Sequence, residues 1–393
     1  MENKNKKNNK SSSIIIKPKI KLQYNNIKKE RNPGVDLLRI LGMIDIIAFH
    51  IIMHLYPKYY RYTKKIKYME ILTQWHISNF GIISGIVGYK TNKYSNLLYL
   101  WLWVLYHSLT IHYIFKKFYP QKLTNIPKNE YFLPLISNHY WYFTSYFKMY
   151  LFLPLINKGL NSIDKTELKI IILSLYGILF IWKDLKSKER DKFCRDQSVK
   201  TLLSYYLLGA YIGKFVLDKN KDKNKIIKII KNLIYYIILI FIFIKSSNIV
   251  YYSTFYEGND KYKLILKKLF YNSSNSIGMV LLSLSLILFF TQIKYNKYIA
   301  KIITFFGPLA FSSYLVHNHI DVRSSYFLTR QFSKYSSNLT PKYITMYVIY
   351  EAVRVFMGCI AIDYIRFMIF KLLKIREICG FLEKIVFAIF KRI

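Results

Sequence analysis

Arg39 and His50 lie eleven residues apart in one apolar run, NPGVDLLRILGMIDIIAFHIIMHL, which occupies residues 32–55. At roughly 100° per residue, eleven steps make about three turns plus 20°, so a helix sends both side chains from one face. His50 then lies roughly 16 Å further along the axis than Arg39. An imidazole titrates near neutrality and can take a proton from a weakly acidic hydroxyl. A guanidinium grips phosphate or carboxylate through a planar fork of donors. Together they suit a long anionic substrate held at one end and attacked at the other. The plainer readings are a buried histidine bonded to a neighbouring helix and an arginine that snorkels to a headgroup boundary.

Three more groups share the run. Asp36 precedes Arg39 by three residues on the same face, where it holds the guanidinium or simply complements the helix dipole. His50 and His54, at i and i+4, have the spacing of a two-ligand metal motif. No glutamate stands between them and no third ligand is marked, so no metal is expected. Asp45 falls mid-run, and Lys148 occupies an equivalent place in a later apolar stretch. Unpaired charges in hydrocarbon are costly, so these two are expected to pair across helices.

The elements that must carry these groups are helical. The chain has 393 residues, of which 53% are hydrophobic, and apolar stretches of 17 residues or more recur throughout. That pattern predicts an all-α, polytopic membrane bundle of about ten transmembrane helices. The expected spans are residues 35–55, 71–89, 96–115, 139–156, 168–182, 199–217, 228–245, 276–292, 302–320 and 342–371. Residues 1–31, rich in Lys, Asn and Ser, read as a disordered basic cytoplasmic tail, residues 32–372 as the transmembrane domain, and residues 373–393 as an amphipathic helix on the inner surface. Ten spans with basic tails inside place both termini in the cytoplasm of a multi-pass protein, expected in the plasma membrane.

The formal net charge is +39. Its Lys and Arg residues sit mostly in tails and loops, where they serve anionic headgroups, so nucleic acid is not an expected partner. Three cysteines, Cys194, Cys359 and Cys379, make no disulfide or zinc framework. The long loops near 116–138, 246–275 and 321–341 are rich in Tyr, Asn and Ser, suited to stacking on a sugar or to an interfacial aromatic belt.

Five motifs, in order, carry a resemblance. Gly34-Val35-Asp36-Leu37-Leu38 with Arg39 and His50 comes first, then Phe80-Gly81-Ile82-Ile83-Ser84-Gly85. Trp141 to Tyr146 running on to Pro154-Leu155-Ile156-Asn157 is third. Phe305-Phe306-Gly307 with Ser313 to Asn318, and Ile362-Asp363-Tyr364-Ile365-Arg366, complete the set. From about residue 31 to 370 the chain resembles the integral membrane acyltransferase family 3, whose members move acyl groups onto cell-surface sugars. The resemblance implies a cytoplasmic acyl-coenzyme A donor, acetyl-CoA foremost, and a sugar or polysaccharide hydroxyl as acceptor. It implies His50 as the base or acyl relay, with Arg39, Asp36, Ser84 and Gly85 toward the donor. His317, Asn318 and Tyr146 are assigned toward the acceptor. Asp45 and Lys148 depart from the family's apolar pattern, and no Arg-x-x-Arg pair opens the third span.

Two other classes fit a helical bundle with internal charge. A transporter or flippase of a polysaccharide precursor is one, though paired repeats and matching broken helices are not evident. A membrane scaffold is the other, and it needs no registry of Arg39 with His50.

Overall fold

In the computed structural model, the described residues are 31–55, 66, 69–70, 72–124, 127, 129–135, 140–185, 199–217, 225–255, 277–324 and 341–391. The chain divides into Met1–Arg31 and a compact unit, Asn32–Ile393. The tail expected at residues 1–31 lies outside the described residues except for Arg31, as do Cys194 and most of the two later loops.

Every regular element among the described residues is helical. In chain order the main ones are α1 (Pro33–Leu55), α2 (His76–Gly88), α3 (Ser95–Phe118), α4 (Trp141–Ser162), α5 (Lys165–Leu185) and α6 (Val199–Tyr211). They continue as α7 (Lys225–Phe255), α8 (Ile277–Phe290), α9 (Lys297–Leu309), α10 (Phe311–His317), α11 (Pro341–Leu372) and α12 (Ile375–Phe390). Each expected span falls on helix. The fifth and seventh are longer than the hydropathy suggested, and the sixth ends in a π-helical stretch, Ile212–Leu217. The ninth is broken, with α9 and α10 meeting at 41°. One described helix, α3, is by itself long and apolar enough to cross a bilayer, and α9 with α10 qualifies as one bent span. Helices α2, α6 and α8, at 13, 13 and 14 residues, are shorter than a crossing needs.

Helix α1 starts cleanly because its opening amides are satisfied. Asn32 Oδ1 accepts from the Gly34 amide (2.9 Å) while its Nδ2 donates to the Thr291 carbonyl (3.1 Å), and Pro33 stands where its missing N–H costs nothing. From there α1 runs through the middle of the unit, packed by α2, α8, α9, α10 and α11. Two apolar clusters flank it. One joins the deeper half of α1 to α3, α10 and α11 through Ile47, Ile51, Val104, Leu315 and Phe356; the other joins its first turns to α2, α4, α6 and α8 through Leu38, Ile82, Leu153, Tyr205 and Ile287.

Helix α2 crosses α6 backbone to backbone, and small residues permit it. A Cβ on Gly85 would stand 2.0 Å from the Tyr206 carbonyl oxygen, and one on Gly209 would stand 1.9 Å from that of Ile82. No side chain fits between the two backbones. Asn157 then ties α4 to this pair, donating to the carbonyls of Gly88 (3.0 Å) and Thr91 (2.7 Å) and accepting from the Tyr206 hydroxyl (2.8 Å). Lys214, in the π-helical stretch, donates to the carbonyls of Leu160 (2.6 Å) and Ile163 (2.8 Å) at the end of α4, a cation where the helix dipole favours one.

Gly209→Ala is therefore expected to lower stability by about 1–3 kcal/mol through overpacking, read as a drop in the thermal unfolding midpoint of detergent-solubilised protein. Gly358→Ala, which meets nothing within 4 Å, should leave that midpoint unchanged or raise it.

Candidate active site

The first turns of α1 build the shallow end of the site. Asp36 is buried and its Oδ1 accepts from Arg39 Nη1 at 2.7 Å. Gly307 of α9 makes room for this, since a Cβ there would lie 2.5 Å from the Asp36 Cβ. The Arg39 side chain keeps a quarter of its surface exposed and reaches the wall of a cavity of about 280 Å³. Ser84, Tyr142, Tyr146 and Phe80 form one side of that cavity; Met43, Leu100, Trp103 and Phe311 form another.

His50, two turns beyond Met43 on α1, meets the other half-helix of the broken pair. Pro308 lies in the last turn of α9, and the hydroxyls of Ser312 and Ser313 satisfy the carbonyls of Leu309 (2.6 Å) and Ala310 (2.7 Å) at the break. The redirected α10 ends on His317, whose Nε2 lies 2.9 Å from His50 Nδ1. His317 Nδ1 bonds the Ser313 carbonyl one turn back. A carbonyl only accepts, so this bond puts the proton on His317 Nδ1 and the lone pair on Nε2. His50 must then donate from Nδ1. In its neutral form its lone pair sits on Nε2, and the imidazole has the tautomer of a general base held from behind.

A third assembly braces the cavity wall. Asp363 and Arg366 on α11 pair bidentately at 2.8 Å and 2.8 Å, wholly buried. His107 Nε2 (2.8 Å) and Trp103 Nε1 (3.0 Å) of α3 also donate to Asp363, and Arg366 lies over the Trp103 ring at 3.9 Å from its centroid. The carboxylate and guanidinium are satisfied, as a buried ion pair in an apolar bundle requires, while His107 Nδ1 has no hydrogen-bond partner among the described residues. The geometric result is that the Trp103 indole on the cavity wall is held by a hydrogen bond and a stacked cation at once.

A family model described as an acyltransferase domain matches residues 32–362, most of the chain. The protein belongs to the acyltransferase-3 family. No curated protein and no solved structure matches it.

In this acyltransferase the structure brings His50 and His317 together, and sets Arg39, Ser84 and Tyr146 on one cavity with Asp36 behind the arginine. Gly85 stands elsewhere: it faces α6, so its smallness serves helix packing. Within the motif that holds both residues, Phe80 and Ser84 face the cavity while Gly81 and Gly85 face α6. Asn318 is buried next to His317 and accepts from Arg323 Nη1 at 3.4 Å. The expected pair of Asp45 with Lys148 does not form. His76 shares its Nδ1–H between the Thr73 carbonyl (2.5 Å) and Asp45 (3.3 Å), and Lys148 sits exposed on α4 in line with the exposed Phe152 and Leu155. The side chain of His54 lies outside the described ones. Trp103, His107, His112, His319 and Asp321 belong to none of the sequence motifs. For His107 the available signal is a polar group inside the apolar run 96–115, and for Asp321 one just beyond the run 302–320; Asp363 and Arg366, both in the fifth motif, are an i, i+3 opposite-charge pair within an apolar run.

Asp363→Ala should cost about 3–5 kcal/mol, because it strands a buried guanidinium. Trp103→Phe, which forfeits one hydrogen bond and keeps an aromatic face for Arg366, should cost about 1 kcal/mol. Unfolding midpoints of the two variants measure the contrast.

Proposed function

We propose that this acyltransferase moves an acyl group, acetyl foremost, from cytoplasmic acyl-coenzyme A to a hydroxyl of an extracytoplasmic or lipid-linked sugar. The observation that carries the reading is the chain His50, His317, Ser313, which orients an imidazole base on the same helix that presents Arg39 to a cavity. The cavity, about 280 Å³, is at the small end for ligand pockets. Its size suits a thioester and its flexible arm, and Arg39 at the rim suits a phosphate of the bulkier nucleotide. The residues therefore fit an acyl-coenzyme A donor.

In the step we infer, His50 Nε2 removes the proton from the acceptor hydroxyl as that oxygen attacks the thioester carbonyl. The carbon–sulfur bond breaks, and the proton passes from the imidazolium to the departing thiolate. His317 accepts the hydrogen bond from His50 throughout and stops the ring from turning. Asp36 fixes Arg39, so that donor affinity does not require ordering a loose side chain.

A membrane setting supports the far-side acceptor. Large apolar side chains lie exposed along the outer faces of α7 and α11, among them Ile230, Ile237, Phe241, Met346, Ile349 and Ile365. Exposed apolar surface of that extent fits lipid better than water. Helix α12 exposes Phe381, Val386 and Phe390 while Glu383, accepting from the Tyr94 amide, holds it to the start of α3, as a helix lying in the inner interface would. We accordingly read the ten stretches as spans, both termini as cytoplasmic and the plasma membrane as the location.

Transfer of labelled acetyl from acetyl-CoA to surface glycan, in membranes at matched expression, tests the reading. His50→Ala should lose about 100-fold or more of the wild-type rate. His317→Phe, which removes the acceptor behind the base, should lose about tenfold to a hundredfold. Wild-type rates in both variants would exclude the histidine pair from the chemistry.

A further inference from the structure

The residues that follow the base's partner form an anchor. His317-Asn318-His319-Ile320-Asp321 closes α10 and opens the short helix Ile320–Ser324. The two histidines of this stretch serve opposite directions. His317 turns to α1, while His319 turns to α3, donating from Nε2 to the Ser108 carbonyl (3.1 Å) and accepting at Nδ1 from the Asp321 amide (3.3 Å). That arrangement requires a neutral ring.

Asp321 has no exposed surface, yet it lies against polar groups from three segments. Its Oδ1 accepts from the Thr124 amide (3.2 Å), the Thr124 hydroxyl (2.5 Å) and the Tyr131 hydroxyl (3.1 Å). Its Oδ2 lies 3.2 Å from His112 Nδ1, and the His112 and Tyr131 rings stack at 3.7 Å. Burial pushes the Tyr131 hydroxyl up to about 12, so it remains a donor at neutral pH. A buried carboxylate with this many donors is well satisfied, and removing it leaves several of them stranded.

We propose that Asp321 is a positioning residue for acyl transfer: its carboxylate ties the turn after α10 to α3, Thr124 and Tyr131, and so holds His317 where it can orient His50. The route is short. The carboxylate holds the backbone at Asp321 in place, the amide of that residue bonds His319 Nδ1, the His319 amide bonds the Val316 carbonyl (3.3 Å), and His317 lies between them. Tyr140, which donates to the Leu315 carbonyl (3.0 Å), steadies α10 from the other side. Since the Nε2 of His317 must stay within bonding distance of His50, a displacement of one ångström is enough to cost about 100-fold in rate.

This inference rests on the acyltransferase reading above, and its test separates the two. Asp321→Asn, His317→Ala and the double variant are compared for thiol release from acetyl-CoA in membranes with their resident glycan. Asp321→Asn should lower kcat about tenfold while KM for acetyl-CoA stays within about twofold. The double variant should be no slower than His317→Ala alone, because both changes act on one group. Thr124→Ala, a milder loss on the same carboxylate, should lower kcat less. Additive losses, or wild-type kcat in Asp321→Asn, overturn the proposal. Imidazole nitrogen NMR of His50 needs no turnover: the proton should sit on Nδ1 in the wild type and move toward Nε2 in Asp321→Asn. An unchanged tautomer there overturns the anchor, whereas a wild type that transfers no acetyl overturns the acyltransferase reading alone.

Discussion

A polar group carried into an apolar bundle must find its partner inside the protein, and α1 carries Asp36, Arg39, Asp45 and His50. Every pairing around it answers that requirement. Arg39 is met by Asp36, Asp45 by His76 and His50 by His317. Without the partners, each group would cost several kcal/mol or give up its charge. The helices that supply them, α2 and α10, are therefore placed by chemistry as well as by packing.

Those pairings divide the acyltransferase along its axis. The shallow part has a guanidinium, two tyrosines and a serine around a cavity, walled by an indole that Asp363 and Arg366 hold still. The deeper part has an imidazole whose tautomer is set from behind. Flexible side chains are costly to order at the moment of reaction, so a site whose rings are held in advance loses less. The bend between α9 and α10 matters for the same reason: a straight helix through Pro308 would continue past α1 in another direction, and the break lets Ser312 and Ser313 satisfy the carbonyls it frees.

Much of this was legible in the chain itself. The registry of Arg39 with His50 is helix geometry, and the ten helical stretches follow from apolar length and period. Asp36 beside Arg39 is an i, i+3 pair that needs no tertiary information. Less could be read where a residue's partner came from far away. The spacing of Asp45 and Lys148 says nothing of how their helices rotate, and α4 turns Lys148 outward while Asp45 meets His76 of α2. Gly85 was open to two readings, ligand approach or helix approach, and only the position of α6 separates them.

Local sequence thus determined the helices, the family and the face on which the first helix carries its arginine and histidine, because these depend on spacing and on side-chain chemistry within a few turns. Tertiary structure alone decided that His317 backs His50, that Trp103 is braced by Asp363 and Arg366, and that Asp321 anchors the turn between them and the outer segments. Those contacts join residues up to 267 positions apart. Hydrogen bonds of about 3 Å demand a relative placement of helices that no periodicity encodes.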